Sequence, residues 1–333
     1  MKIAIFEVGK EESETIKNVL SEHETVLFEG NLQDKLGNIK DFECVSVRVY
    51  SRVDKELIDS LPNLKLIAIR GTGFDNVDVK HAVKRGIAVC NVPRYGESAV
   101  AEHAFALILA LAKNIVLASE RTKNGNFSLD GLEGVELKDK IIGLIGCGNI
   151  GRKTAQIANG FGMKILVYDT NPDTDLVKSL GVKYVDYDYL LANSDILSFH
   201  APLSPNTKHM FNKYSLKIVK KGVILINTAR GEIVETEAIL IGLQNGIIKA
   251  AGLDVLEEEC FVKEEIQLLS EEFAKTCNIK TLLEGHLLTK KDNVIITPHS
   301  AFYSKEALER KVEIACQNIL SFIDGHPINI ITV

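Results

Sequence analysis

Reactive side chains stand at the ends of three apolar, strand-like segments of this sequence. The run GVILIN (222–227) leads to Arg230, NVIITP (293–298) leads to His299, and AAGLDV (250–255) contains Asp254 and leads to Glu257–Glu259. A guanidinium grips a planar carboxylate through two parallel hydrogen bonds, and an imidazole exchanges a proton near neutral pH. Such a set could bind a small organic acid and move a proton onto it or off it.

Each of these residues also has an ordinary structural explanation. Arg230 could pair with a structural carboxylate, a lone His is more often structural than catalytic, and an acidic run is usually a solvated surface. Position favours chemistry here, because ligands of open α/β sheets lie beyond the carboxyl ends of the strands. Gly231 leaves room for the backbone after Arg230, and Pro298 stops the strand before His299.

A fourth segment, KIIGLIGCGNIGRKTAQIANGFGMKILVYD (140–169), carries a nucleotide-binding pattern. A strand leads into a glycine motif and a helix, and a second strand ends in Asp169, 18 positions after Gly151. Gly146 suits a tight turn, Gly148 lets the backbone approach a pyrophosphate, and Gly151 lets the helix pack closely on the strand. Asp169 can accept both ribose hydroxyls and would repel a 2′-phosphate. The pattern therefore predicts NAD rather than NADP, and a glycine-rich turn without a ligand is the alternative.

These motifs need strands and helices to position them, and the chain supplies both in alternation. Continuous apolar strands separated by helical segments predict an α/β fold with parallel sheets covered on both faces. The segment 98–124, rich in Ala and Leu and free of Gly and Pro, is predicted as a single helix of ~40 Å. It could bridge two domains, line a subunit interface or lie in the core of one domain.

Composition limits the classes of partner and compartment. A formal net charge of -6 and a pI near 5.8 argue against nucleic acid or an anionic membrane as the partner. There is no run of 18 apolar residues and no signal peptide pattern, and the six cysteines lack metal-ligand spacing. We therefore expect no metal, no membrane span and a cytoplasmic location.

Taken together, the motifs resemble those of the D-isomer-specific 2-hydroxyacid dehydrogenase family, most closely its D-lactate dehydrogenase branch. The resemblance covers essentially the whole chain and rests on several motifs in the same order. These are RGTGFDNVD (70–78), NVPRYGESAVAEHAFAL (91–107), GCGNIG (146–151), HAPLSPNTKHM (200–210), INTARG (226–231), GLDV (252–255) and VIITPHSAFYS (294–304).

The resemblance implies a role for each matching residue. Arg230 would bind the substrate carboxylate, His299 would be the acid/base, and Glu259, five residues after Asp254, would raise the pKa of His299. Glu257 and Glu258 would then face solvent. The substrate would also meet Thr72, Gly73 and Tyr95. The cofactor site would comprise Gly146, Gly148, Asn149, Ile150, Gly151, Asp169, Ala201, Pro202, Thr207, Thr228, Ala229 and Asp254.

The family fold implies two doubly wound parallel-sheet domains. Residues 1–100 and 300–333 would form a discontinuous, flavodoxin-like substrate domain, and residues 101–299 a Rossmann-type NAD domain. Family members usually pair through the region of the 98–124 helix, so a homodimer is expected. Cys260, where many relatives have Pro, and a charged helical insertion over about 260–292 favour the lactate branch.

The implied activity is NAD-dependent reduction of a 2-keto acid to a D-2-hydroxy acid, with pyruvate and D-lactate as the favoured pair. A larger 2-keto acid, such as phenylpyruvate or 2-ketoisocaproate, is the alternative within the family. From another class, some transcriptional corepressors resemble the same family and act as NAD-sensing interaction proteins. Oxidation of NADH in the presence of pyruvate separates the enzyme from the corepressor.

Overall fold

The computed structural model describes residues 1–33, 35, 39–48, 51–74, 76–257 and 279–332. The chain divides into two compact units, one formed by Met1–Gly96 with Tyr303–Val333 and the other by Glu97–Phe302. The boundaries expected from the sequence lie near residues 100 and 300. Each unit is built around its own parallel sheet.

The first unit contains a five-stranded sheet among its described residues, with order β2-β1-β3-β4-β5. Every neighbouring pair is parallel. Its strands are β1 (Lys2–Ile5), β2 (Glu24–Leu27), β3 (Cys44–Val47), β4 (Leu66–Ile69) and β5 (Ala88–Cys90). Its first helices are α1 (Lys10–Val19), α2 (Lys55–Ser60) and α3 (Val79–Lys84). β3 and β4 are buried along their whole length, as expected for strands covered on both faces.

The second unit contains a seven-stranded sheet among its described residues, with order β12-β11-β10-β9-β6-β7-β8 and parallel pairing throughout. The strands are β6 (Ile141–Ile145), β7 (Lys164–Tyr168), β8 (Lys183–Tyr184), β9 (Ile196–Phe199), β10 (Val223–Asn227), β11 (Ile248–Leu253) and β12 (Val294–Ile296). The helices are α4 (Glu97–Ala112), α5 (Ile115–Lys123), α6 (Asn149–Gly160), α7 (Thr174–Leu180), α8 (Tyr187–Asn193), α9 (Thr236–Gln244) and α10 (Ile279–Thr289). The chain then returns to the first unit as α11 (Lys305–Ile323).

The central strands of the second unit are buried on both faces. In β10, Ile224 and Ile226 pack into the core beneath α4 and α6, while Val223 and Leu225 pack into the core on the opposite face. This alternation is the two-residue period of a strand. It explains why GVILIN reads as an uninterrupted apolar run.

Both strand orders confirm the predicted fold class. The second sheet leaves its first strand, β6, in both directions, which is the Rossmann arrangement, and the first sheet has the flavodoxin-like order. In such sheets the point where the order reverses forms a crevice at the carboxyl ends of the strands. The fold therefore directs attention to the loops that follow β6, β9 and β10.

The prediction of a single helix over 98–124 is wrong, because α4 and α5 are separate helices at 60° to each other. The main-chain N–H of Val135 donates to the carbonyl of Ala112 (2.8 Å), and Gly134 lies so close that a Cβ would stand 2.5 Å from that oxygen. Asn114 adopts a left-handed conformation (φ 51°) at the break. The crossing chain, which local sequence does not reveal, interrupts the helix. Within the described residues, no single helix is long and apolar enough to cross a membrane.

Candidate active site

The structure brings the exits of β10, β11 and β12 together at one edge of the second sheet. Asn227 pairs with Leu253, and Leu253 pairs with Ile296, so the three strands end level with one another. Arg230 and His299 each follow their strand by three residues, and Asp254 follows directly. Two loops with reactive side chains and one buried carboxylate are thus neighbours.

The turn that carries Arg230 is held by the side chain of Asn227, which is buried. Its amide oxygen accepts the N–H of Ala229 (3.1 Å), and its amide nitrogen donates to the carbonyl of Arg230 (2.9 Å). The half-buried Arg230 donates from Nη1 to the carbonyl of Ala229 (2.7 Å). A guanidinium has five N–H donors, so this bond leaves the capacity to hold a carboxylate.

Gly231 is required by a close approach of two loops. A Cβ at this position would stand 2.0 Å from the carbonyl carbon of Leu256 and 2.4 Å from the nitrogen of Glu257. Any other residue at this position would force these two segments of the chain apart. The start of the acidic run is therefore packed directly against the Arg230 turn.

The loop that carries His299 is organised by Asp254, which is only 1% exposed. Oδ1 accepts from the hydroxyl of Thr297 (2.5 Å) and from the N–H of Ser300 (2.9 Å), and Oδ2 accepts from the N–H of Ala301 (2.9 Å). The N–H of His299 donates to the carbonyl of Asp254 (2.9 Å). These bonds flank His299, whose φ of 51° lies in the left-handed region that residues other than Gly seldom adopt.

Two residues outside the predicted set, His103 and Thr297, complete this arrangement. His103 Nε2, from α4, lies 2.9 Å from Thr297 Oγ1 and 3.4 Å from Asp254 Oδ1. The Thr297 hydroxyl proton is directed at Asp254, so its oxygen can accept from the imidazole. His103 is 194 residues from Thr297, and no local pattern could have linked them.

The same loop borders a cavity of about 460 Å³. Its described lining is mostly apolar, and its polar members are Asp254, Thr289, Thr297 and His299. This volume lies in the usual range for small-molecule sites.

The expectation that Glu257 faces solvent is wrong. Its side chain is 12% exposed, and Oε1 pairs with His209 Nε2. Oε2 accepts the N–H of Thr236, the first residue of α9, at 2.6 Å. A carboxylate at a helix N-terminus satisfies an otherwise unpaired N–H and the helix dipole, so Glu257 has a structural task. Glu258 and Glu259 lie outside the described residues.

The glycine motif has the geometry of a phosphate-binding turn. Gly146 has a φ of 90°, and a Cβ there would stand 2.5 Å from the nitrogen of Ala201. A Cβ on Gly151 would stand 2.4 Å from the carbonyl oxygen of Gly146. A Cβ on Gly148, by contrast, would meet no heavy atom within 4 Å. The space above Gly148 is open at the N-terminus of α6, where Asn149 and Ile150 begin the helix.

Further polar groups surround this turn. The carboxylate of Asp169 accepts the N–H of Cys147 (2.6 Å) and of Asn171 (2.8 Å), so it is fixed beside the glycine motif. Thr228 Oγ1 and His200 Nδ1 are buried and without a hydrogen-bond partner among the described residues. Burial lowers the pKa of His200 to about 4, so its imidazole is neutral at pH 7. The open cradle, the fixed carboxylate and the unpaired buried atoms fit a dinucleotide.

Thr207 and its neighbours form the loop after β9. The hydroxyl of Thr207 donates to the carbonyl of Pro202 and accepts the N–H of Ser204, each at 2.7 Å. Ala201 is buried against Gly146, and Pro202 is exposed. The hydroxyl of Thr207 therefore shapes the loop that carries the other predicted cofactor residues.

The predicted substrate residues Thr72, Gly73 and Tyr95 belong to the first unit, in the loops after β4 and β5. The carbonyl of Thr72 accepts from Asn91 Nδ2 (2.7 Å), and its hydroxyl donates to the carbonyl of Val92 (2.8 Å). These bonds tie the two loops to each other. Among the described residues, no group of three His, Cys, Asp or Glu side chains could hold a metal ion.

The chain belongs to the D-isomer-specific 2-hydroxyacid dehydrogenase family. Residues 105–301 match the family model for the D-isomer specific 2-hydroxyacid dehydrogenase, NAD binding domain. The protein is therefore an NAD-dependent oxidoreductase that acts on 2-hydroxy acids, which confirms the predicted class, enzyme activity and cofactor.

Named relatives differ in the substrate that their names give. The chain is 37% identical to a glyoxylate reductase of Thermococcus litoralis over 297 residues, 87% of this chain and 83% of that protein. It is 40% identical to a hydroxypyruvate reductase of Thermotoga maritima over 273 residues, 82% of each chain. It superposes on the D-lactate dehydrogenase of Aquifex aeolicus, solved with NAD and lactic acid, with a TM-score of 0.85 and 36% identity over 98% of this chain and 96% of that one.

Proposed function

We propose that this enzyme reduces a small 2-keto acid, with pyruvate as the first candidate, to the D-2-hydroxy acid. The observation that supports this most directly is the meeting of the Arg230 turn, the Asp254 carboxylate and the His299 loop at one sheet edge. The likeness to a D-lactate dehydrogenase over 98% of the chain favours pyruvate among the keto acids.

Arg230 binds the substrate carboxylate in this proposal. A turn fixed by Asn227 presents its guanidinium, and a planar fork matches a carboxylate better than an ammonium does. The main-chain N–H groups of Thr72 and Gly73 share the carboxylate, and Tyr95 contacts the rest of the substrate. Arg230 also draws electron density from the carbonyl oxygen.

His299 donates the proton to the carbonyl oxygen during reduction and removes it in the reverse direction. Bound NADH supplies the hydride. Glu259 stabilises the charged imidazole, while Asp254 and His103 hold the loop in the conformation that presents it. In this scheme Asp254 acts mainly on the protein, because three of the four lone-pair sites of its carboxylate already accept hydrogen bonds from the loop, which leaves one on Oδ2 for the cofactor.

The cofactor is held by the groups around the glycine motif. The N–H groups at Asn149 and Ile150, beside the open space at Gly148, receive the pyrophosphate. Asp169 accepts the ribose hydroxyls with its remaining lone pairs. Thr228 Oγ1, which is buried and has no hydrogen-bond partner in the part of the chain that the structure describes, lies with Ala229, Ala201, Pro202 and Thr207 in the loops that complete the site.

A second candidate is reduction of glyoxylate or hydroxypyruvate, which the names of the two sequence relatives favour. The keto acids differ only in a hydrogen, methyl or hydroxymethyl group. An apolar pocket discriminates between substrates that differ by one methylene by only about 1–3 kcal/mol. An activity assay must therefore distinguish among these keto acids.

The test is a panel of 2-keto acids assayed with NADH and with NADPH. Glyoxylate, hydroxypyruvate, pyruvate, 2-ketoisocaproate and phenylpyruvate cover the candidates. We expect the highest kcat/KM with pyruvate, D-lactate as the product, and a preference for NADH because Asp169 repels a 2′-phosphate. A higher kcat/KM with glyoxylate or hydroxypyruvate would move the proposal to the second candidate, and no NADH oxidation with any member would refute it.

We also propose that the enzyme is a homodimer that works in the cytoplasm. α5 contributes no buried residue, and the segment after it exposes Phe127 (76%) and Leu129 (82%). Exposed apolar clusters of this kind mark protein–protein contacts. The described cysteines are buried free thiols, as a reducing compartment allows. Light scattering of the wild type and of Phe127→Ser/Leu129→Ser should give a dimer and a monomer, respectively.

A further inference from the structure

The last helix of the chain holds the loop that carries Tyr95. Asn318 Nδ2, from α11, donates to the carbonyl of Asn91 (2.8 Å), and the N–H of Asn91 donates to the carbonyl of Asn329 (3.3 Å). The N–H of Ile331 donates to the carbonyl of Val89 (2.8 Å). Residues more than two hundred positions later in the chain thus fix the path of 89–95.

Two consecutive residues of α11 contact Tyr95 itself. Arg310 donates from Nε (3.0 Å) and Nη2 (2.8 Å) to the carbonyl oxygen of Tyr95. The ammonium of Lys311 lies 5.7 Å from the centroid of the Tyr95 ring, within the range of a cation–π contact. One residue fixes the main chain of Tyr95, and the other faces its ring.

Lys311 is buried among other charged groups. It is 4% exposed, and burial, together with Arg48 after β3 and Arg70 after β4, lowers its pKa to about 7. Near the arginines lie two buried carboxylates, Glu12, which pairs with Arg48, and Glu7, whose charge favours the cationic form of Arg70. The ammonium is charged below neutral pH and loses its charge above it, and with that charge it loses its attraction to the ring.

We propose that Arg310 and Lys311 are positioning residues that hold Tyr95 in place and thereby set how strongly the enzyme prefers small 2-keto acids over bulky ones. This inference rests on the substrate role proposed for Tyr95. A ring held at its main chain and its face leaves a fixed space for the substrate side chain, whereas a released ring yields to a larger one. Loss of the Lys311 charge should therefore relax the preference above neutral pH.

The measurement is the ratio of kcat/KM for phenylpyruvate to kcat/KM for pyruvate between pH 5.5 and 9. Protonation of His299 acts on every 2-keto acid alike and cancels in this ratio, so the ratio reports on the side-chain pocket. In the wild type we expect it to rise about 3- to 10-fold from pH 6 to 8.5. In Lys311→Met it should be high and independent of pH, and in Arg310→Gln it should be raised at every pH.

The matched control is Lys305→Met on the same helix; the Lys305 side chain is 84% exposed, and its ammonium lies 4.0 Å from a Glu309 carboxylate oxygen. It should reproduce the wild-type ratio and its pH dependence. A ratio in Lys311→Met and Arg310→Gln that follows the wild type at every pH would overturn the inference. Thermal midpoints of all variants establish that they fold, and Lys311→Gln replaces Lys311→Met if the latter does not.

Two further measurements separate this inference from the proposed function. Tyr95→Ala should raise the ratio; if it does so while the α11 variants do not, only the positioning role fails, and if Tyr95→Ala has no effect, the substrate role of Tyr95 fails with it. NMR titration of ¹³C-labelled lysine side chains needs no turnover. The signal absent from Lys311→Met should titrate near pH 7 in the wild type, and titration near pH 10 would refute the pH dependence, while the ratios of Lys311→Met and Arg310→Gln decide the positioning role.

Discussion

The main-chain N–H of His299 donates a hydrogen bond to the main-chain carbonyl of Asp254 at 2.9 Å, while the Asp254 carboxylate accepts the N–H groups of Ser300 and Ala301, the next two residues. The imidazole therefore stands on a loop whose backbone is held on both sides by one buried residue. A left-handed non-glycine residue costs about 1–3 kcal/mol. The bonds to Asp254 offset that cost and fix the direction of the side chain.

Asp254→Asn should lower kcat by about 10- to 100-fold, because an amide presents one acceptor where the loop needs two. Its NH₂ group would face an N–H donor, so the loop would relax and the imidazole would lose its orientation. Steady-state rates at saturating NADH and pyruvate measure the effect. Asp292→Asn, an exposed carboxylate in the turn before β12, is the control, and equal rates for both variants would contradict this role.

His299→Asn should lower kcat by about 10²- to 10⁴-fold if the imidazole transfers the proton. Asn tolerates the left-handed conformation, so this substitution removes the acid/base group with little backbone strain. His299→Ala adds that strain, and the difference between the two thermal midpoints reports its size. Turnover near the wild-type value in His299→Asn would exclude the proton-transfer role.

The fold was predictable because its central strands have continuous apolar cores, as in VILI (223–226) and LIAI (66–69). The edge strands β2 and β8 cannot be recognised in the sequence. β2 (Glu24–Leu27) has two polar residues followed by two apolar ones and no buried position, and β8 has two residues, so neither differs enough from a loop. The break between α4 and α5 depends on Gly134 and Val135, which reach Ala112 from more than twenty positions along the chain.

The residues of the site likewise fall into those that the sequence identifies and those that only the folded structure identifies. Arg230, Asp254 and His299 follow strands that could be recognised, so their common edge followed from the topology. His103 and Thr297 meet only through the packing of α4, and Glu257 differs from a solvated glutamate only by its contacts with His209 and Thr236. The local sequence shows that a carboxylate is present, but its role depends on a partner from a distant part of the chain.

Arg230→Lys should raise KM for pyruvate by about 10- to 100-fold while KM for NADH changes little. An ammonium keeps the charge but cannot form two parallel bonds to a carboxylate. The comparison of the two KM values distinguishes substrate binding from damage to the cofactor site. Equal KM values for pyruvate in variant and wild type would mean that another group holds the carboxylate.

Glu257 and Glu259 should respond differently to the same substitution. Glu257→Gln should lower the stability by about 1–2 kcal/mol, since it weakens the contacts with His209 and the first turn of α9, and leave the pH profile of kcat unchanged. Glu259→Gln should move the pH profile for keto-acid reduction to lower pH. The two variants serve as controls for each other.

Measured together, thermal midpoints and pH–rate profiles decide the assignment. A shifted pH–rate profile in Glu257→Gln and an unshifted one in Glu259→Gln would mean that Glu257, and not Glu259, acts on the catalytic imidazole.

The partly buried His200, whose Nδ1 is out of contact with solvent, should make the fold sensitive to mild acid. Its pKa is about 4 in the folded protein because burial disfavours the imidazolium, whereas an unfolded His titrates near 6.5. As the pH falls from about 6.5 to 4, the unfolded chain binds a proton that the folded one does not. Stability is therefore lost across this window, by about 1–3 kcal/mol in total, and is unaffected by His200 above it.

His200→Gln removes the titrating group while its amide can still reach Ser198, which lies 2.9 Å from His200 Nε2 in the wild type. Between pH 7.5 and 5, the thermal midpoint of the wild type should fall by about 2–6 °C more than that of this variant. His326→Gln, which removes an exposed imidazole, should follow the wild type. Parallel curves for all three proteins would show that His200 is protonated equally in the folded and unfolded chains, and hence that its burial does not keep it neutral.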